Sequence, residues 1–214
     1  MNKSILSLSF FSWIFLFSCK KDVGIKTINI DPTPVPIISK GYFPLAIGNY
    51  WVYEKYTTDT SGNMIGGVSI DTMKITGDTT INGYTFYKLF GSASIPSYDR
   101  YQFLRDSSGY IVYSEGGKFN PTNFTDTIGI DTTLQYIAYA MMEHKDSSII
   151  TPAGVYKTNA LTCKKYFFNS IMSGNNPYVD YTFYASNIGI VKQTWWWGNM
   201  LWTETGKLIS YKIN

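Results

Sequence analysis

From Gly41 to the end, the chain alternates between short apolar runs and turn residues. The runs are rich in Tyr, Phe, Trp, Val, Ile and Thr and are broken by Gly and Asn, which is the pattern of β-strands joined by tight turns. No stretch carries an apolar stripe at helical spacing, and the pattern leaves room for a helix of one or two turns only around Phe119 to Phe124. Asn82-Gly83, between Ile81 and Tyr84, predicts a two-residue type I′ turn joining a strand Met73 to Ile81 with a strand Tyr84 to Phe90. Gly198-Asn199 predicts a second hairpin of this kind, setting Trp197 opposite Met200, Trp196 opposite Leu201 and Trp195 opposite Trp202. Longer turns are expected at Thr60-Ser61-Gly62-Asn63, Asp106-Ser107-Ser108-Gly109 and Glu204-Thr205-Gly206-Lys207. The whole predicts an all-β antiparallel meander of roughly ten strands, with neighbours in sequence paired in space.

The strands are apolar on both faces. Alternation across the predicted Gly198-Asn199 hairpin puts Trp195, Trp197, Met200 and Trp202 on one face and Trp196 and Leu201 on the other. Gln135 to Met142 and Tyr178 to Tyr184 share this character. A sheet with one wet side does not look like this. The chain beyond residue 18 holds 18 Tyr, 9 Phe and 5 Trp, more rings than a single core face hides. The sheet is therefore expected to curve into a half-barrel, close into a barrel or double into a sandwich. A half-barrel would have its concave side filled by a covering segment or an apolar ligand. The excess of Tyr suits walls and rims, where one end of the ring is buried and the other is wet.

The first 40 residues have a different organisation. Residues 1–18 carry one charged side chain, Lys3, and the thirteen residues from Ile5 to Phe17 are nearly all apolar. That length fits the ~7–15 residues of a signal-peptide core and falls short of the ~20 that a membrane-spanning helix needs. Leu16-Phe17-Ser18-Cys19 resembles a bacterial lipobox, which makes 1–18 a cleaved leader and Cys19 the lipidated first residue of the mature chain. Residues 19–40 read as a tether around Asp31-Pro32-Thr33-Pro34-Val35-Pro36, since alternating prolines favour an extended rise and cannot join a sheet interior. Residues 41–214 are left as one β domain, long enough to bury a core of its own. The expected address is the bacterial envelope, as an outer-membrane lipoprotein facing the periplasm or the exterior, with the membrane as a partner through the N-terminal lipid.

Charge and cysteine content narrow the function classes. From Gly41 onward the chain has 13 basic and 13 acidic residues, so the basic balance of the whole belongs to the leader and tether. A neutral domain argues against nucleic acid as a partner. With Cys19 in a thioether, Cys163 has no partner for a disulfide and is expected to be a buried, inert thiol. His144 is the only His, which excludes His-pair metal sites and HExxH helices. No Gly-rich phosphate loop or nucleophile elbow stands between a strand and a helix. Neither cofactor nor metal nor catalytic set is expected, and the domain reads as a non-enzyme. Asp71, Asp78, Asp126 and Asp131 each precede Thr, which suits turns and strand ends and also resembles a short O-glycosylation acceptor pattern. The strongest candidates for ligand binding are Trp195, Trp196, Trp197 and Trp202, whose faces can stack on sugars or line an apolar pocket. The plainer reading makes Trp195, Trp197 and Trp202 core and leaves Trp196 the most exposed.

Tyr42 to Tyr53 (YFPLAIGNYWVY) resembles the opening of a set of uncharacterised Bacteroidota lipoproteins related to TapB-like domains of unknown function. Ile75 to Leu89, Thr151-Pro152-Ala153-Gly154-Val155-Tyr156 and Tyr184 to Lys192 resemble three further elements of that family, so the likeness spans most of the domain. The resemblance implies an antiparallel β fold and a lipoprotein life and carries no activity. Within it, Pro44 and Gly48 are expected to shape the lead-in to the first strand, with Gly154 and Gly189 at turns or bulges. The function expected is a non-enzymatic, envelope-anchored binding module for an apolar or amphipathic ligand. The alternative is a glycan-binding or accessory surface protein of a polysaccharide-use system.

Overall fold

A computed structural model of the protein describes residues 42–59, 61–91, 101–125, 127–133, 135–168, 177–196 and 202–214. Cys19, the leader, the tether and Trp197 lie outside the described residues. Ile37–Asn214 forms one compact unit, and every residue of the hydrophobic core cluster lies within it.

Twelve strands follow one another: β1 (Tyr50–Asp59), β2 (Met64–Ile81), β3 (Tyr84–Phe90), β4 (Tyr101–Ser107), β5 (Tyr110–Tyr113), β6 (Lys118–Phe119), β7 (Thr127–Thr132), β8 (Tyr136–Thr151), β9 (Gly154–Phe167), β10 (Tyr178–Ala185), β11 (Gly189–Trp196) and β12 (Trp202–Lys212). All belong to one antiparallel sheet in the order β6-β5-β4-β3-β2-β1-β12-β11-β10-β9-β8-β7. Every strand pairs with its neighbours in sequence except β6 with β7, and the first pairs with the last, Tyr50 opposite Lys212 through to Asp59 opposite Trp202. The sheet therefore curls into a nearly closed barrel whose two edges, β6 and β7, are consecutive in the chain.

Turn chemistry sets several registers. Asn82 (φ 51°) and Gly83 (φ 79°) join Ile81 to Tyr84 in the expected two-residue turn, and Ser108 (φ 56°) with Gly109 (φ 85°) joins Ser107 to Tyr110 in the same way. β2 is longer than its predicted Met73 to Ile81, because the stretch from Met64 to Thr72 also pairs with β1, across one register shift. The predicted turn at Glu204-Thr205-Gly206-Lys207 is instead mid-strand. Those residues pair with β1 on one side and β11 on the other, so their backbone groups are satisfied without turning. No helix forms at Phe119 to Phe124, where the Asn120 and Asn123 carboxamides accept the backbone N–H groups of Thr122 and Thr125 and hold two side-chain turns.

The core lies on the concave side. Trp51, Tyr53, Val191 and Leu208 are fully buried. The Trp51 ring stacks on Phe43 at 5.1 Å, and its indole N–H donates to the Ile188 carbonyl, tying β1 to the β10–β11 turn. Gly48, at φ 89°, donates its N–H to Ile75 as the chain enters β1. The next residue, Asn49, is wholly buried and bonds Pro44 O through Nδ2 and the Asn214 N–H through Oδ1. One carboxamide thus joins the two ends of the barrel sequence.

Candidate functional site

Curling brings the two wings of the sheet face to face around a cavity of about 190 Å³. Leu89, Leu104 and Phe119 wall it on one wing and Leu161, Tyr184 and Trp195 on the other. The Phe119 and Tyr184 rings meet at 5.3 Å, closing β6 against β10. Gln102, Thr182 and Gln193 supply the polar part of the wall. Gln193 is buried, and its Nε2 donates to Thr182 Oγ1 at 3.2 Å. Its Oε1 is buried with no hydrogen-bond partner. Such an orphan acceptor costs about 1–3 kcal/mol, and native structures hold few of them.

A second, polar recess of about 340 Å³ lies beside the cavity, lined by Lys55, Thr57, Ser69, Asp71 and Glu204 among others. Three links of strand geometry make residues of the two walls neighbours. Met73 on the cavity wall and Asp71 on the recess are two residues apart on β2, so they share a face. Trp195 pairs directly with Glu204. Gln193 and Lys55 both pair with Gly206, one from each side. Within the recess the Lys55 ammonium lies 2.7 Å from Asp71 Oδ2 and 3.8 Å from Glu204 Oε1, with its side chain only 8% exposed. Two carboxylates facing one ammonium leave one negative charge over. The shared face thus passes from an apolar cavity to a polar, weakly acidic recess.

The titratable groups around the cavity stay uncharged near neutral pH. Burial pushes the Tyr113 phenol up to about 12. Burial likewise raises Tyr53 and Tyr184, with the Asp71 charge adding to the effect on Tyr53. The Tyr53 hydroxyl donates to the Ile190 carbonyl at 2.9 Å. Such groups can hold and orient a molecule. Among the described residues, no group of three His, Cys, Asp or Glu side chains is arranged to hold a metal ion.

Of the tryptophans singled out in the sequence, the three described ones, Trp195, Trp196 and Trp202, do not form one patch. Trp195 is half-buried on the cavity wall. Trp196 is also half-buried rather than open: its ring stacks on Tyr178 at 3.4 Å between centroids, meets Phe167 edge-on at 5.4 Å, and its backbone N–H donates to Asp180 Oδ1. Trp202 is exposed at the start of β12, opposite Asp59. The register differs by two residues from the expected one, since Trp195 faces Glu204 and Trp196 faces Thr203. β12 is held by β1 on its other side, and a shift of two keeps every side chain on its face while changing its depth. His144 is exposed at a bulge in β8 with φ 50°, its ring 5.6 Å from Tyr181. Cys163 is half-buried and burial raises its thiol pKa, which suits an inert thiol. Asp71 proves to be an ion-pair partner as well as a cap for the Thr72 N–H, and Asp126 lies outside the described residues.

Sequence reasoning missed Gln193, Lys55 and Glu204. Lys55 continues the alternation Trp51, Tyr53, Lys55, and Gln193 follows Val191 two places on, so each is a polar residue at an inward position. That misfit with the pattern was the available signal.

No protein-family model matches the chain, and no curated protein does. Two solved structures are similar to it. One is a Bacteroides fragilis protein described as exported and as having a YmcC-like fold, 14% identical with a TM-score of 0.48, the match covering 79% of this chain and 98% of that one. The other is a protein from Parabacteroides distasonis described as a lipoprotein, 15% identical with a TM-score of 0.42, the match covering 80% and 98%.

Proposed function

We propose that this protein is a non-enzymatic lipoprotein of the bacterial envelope whose β barrel binds an amphipathic ligand carrying a small apolar group. The observation that carries this reading is an apolar cavity whose wall residues neighbour those of a polar recess. The size of the cavity limits the ligand. Drug-sized ligands take pockets of ~300–1,000 Å³, whereas a cavity of ~150 Å³ takes one benzene-sized group. At about 190 Å³ the cavity suits a group of roughly six carbons or the end of a chain, and a whole two-chain lipid exceeds it. The anchor rests on the leader and on Cys19, whose acyl chains would each add ~0.8 kcal/mol of membrane affinity per buried CH₂. The glycan alternative has weaker support, because Tyr178 already covers one face of Trp196.

The test is titration of the Ile37–Asn214 unit with benzene, followed by NMR. Shifts confined to the cavity wall, among them the Leu89, Leu104 and Leu161 methyls and the Trp195 indole, are expected, and an unchanged spectrum at saturating benzene would reject the binding reading. Labelling of cells with a palmitate analogue tests the anchor in parallel, and Cys19→Ser should abolish the label.

A further inference from the structure

One unmet acceptor and a surplus of carboxylate over ammonium lie close together at this site. The recess holds Asp71 and Glu204 against Lys55, an excess of one negative charge. The adjoining Gln193, 94% buried, presents an Oε1 with no donor. Gln193 pairs with Gly206, so Glu204 is its diagonal neighbour on the facing strand. Diagonal neighbours on one face lie about 7–8 Å apart, a distance that one small group placed between two long side chains can bridge. Both ends of that span are acceptors. The hydroxyls of Thr57 and Ser69, which also line the recess, can turn to donate or accept and so set no preference.

We infer that the site takes a primary ammonium head group, seated between the Gln193 carboxamide oxygen and the Glu204 carboxylate, with its apolar tail in the cavity against Trp195. An ammonium carries three donors and one positive charge, which matches an orphan acceptor and a surplus carboxylate together. A hydroxyl supplies one donor and no charge. A carboxylate or phosphate head supplies neither and lies beside two like charges. This inference deepens the amphipathic-ligand reading and depends on it.

Three probes with the same six-carbon tail separate the possibilities: hexylamine, 1-hexanol and hexanoate, each titrated into the Ile37–Asn214 unit at pH 7. The readouts are the NMR signals of the Gln193 side-chain amide and the Trp195 indole. Hexylamine is expected to bind at least about tenfold more tightly than hexanoate, with 1-hexanol between them, as one favourable charge contact near a protein surface suffices for that ratio. Glu204→Gln should narrow the ratio several-fold, and Gln193→Leu should weaken hexylamine and 1-hexanol while leaving hexanoate unchanged. Circular dichroism and the thermal midpoint confirm that each variant folds, and the ladder on the unaltered protein stands without them. Equal affinity for all three probes, or tightest binding of hexanoate, would overturn the ammonium assignment while leaving apolar binding intact. Failure of all three to bind would overturn both.

Discussion

Gly189 shows how closely single residues are fitted here. Its φ is 100°, and a Cβ built on it would lie 3.2 Å from the Phe43 ring and 3.3 Å from Trp51 Nε1. Backbone strain and steric contact therefore act together. Gly189→Ala is expected to destabilise the protein by about 1–3 kcal/mol, read as a lower urea midpoint with an unchanged slope. A midpoint equal to that of the unaltered protein would show that Phe43 and Trp51 yield without cost. The position of Gly189 at a bend was legible, because Ser186-Asn187-Ile188-Gly189 breaks two apolar runs. The burial of Trp51 and Phe43 was legible too, as they are large apolar residues in an apolar stretch. Gln193 and Lys55 left only a misfit in the alternation, which does not by itself tell an enclosed polar residue from a wetted one. It takes the curvature of the sheet, built by strands far apart in sequence, to enclose their side of it.

Between elements, Asn159 fastens the barrel where the ladder stops. β6 has only two residues, and the chain after it crosses towards β9, where the Asn159 Nδ2 donates to Pro121 O at 2.8 Å and to the Tyr42 hydroxyl at 2.9 Å. Its Oδ1 accepts the Asp146 N–H at the β8 bulge. Asn159→Asp keeps the shape and that last bond but turns the donor end into a charged acceptor facing a carbonyl. The expected cost is about 1–3 kcal/mol at pH 7, visible as a lower thermal midpoint, and smaller at a pH low enough to protonate the new carboxyl and restore a donor. No pH dependence of the deficit would mean that the donor end contributes nothing to closure. Hairpins such as Asn82-Gly83 could be read from the sequence because a two-residue turn is a local matter of φ > 0. The Trp195 register could not. It is set by β1 across β12, a partner some 140 residues away that no turn motif records.

At the scale of the whole molecule, the tyrosines that set the wall chemistry come from strands distant in the chain and meet only because the sheet curls. Tyr53 is on β1, Tyr113 on β5 and Tyr184 on β10, and the first two both raise the pKa of the third. Burial raises all three phenols, Tyr113 to about 12, against an unfolded value near 10. Below pH 10 the phenols are protonated in both states, so they add no pH dependence. Between 10 and 12 the unfolded chain loses these protons while the folded one keeps them. The stability they contribute is therefore full below pH 10 and lost as pH rises through the folded values. Each group contributes a slope of up to about 1.4 kcal/mol per pH unit over that window. Urea midpoints should accordingly stay level, as far as the tyrosines are concerned, from pH 8 to 10 and fall steeply above it. Phenolate absorbance should show most of the 18 tyrosines ionising first and a late group ionising only with loss of the fold. If every tyrosine instead titrates near pH 10 in protein that is still folded, the two wings are not closed on each other, and the cavity between them is open to water.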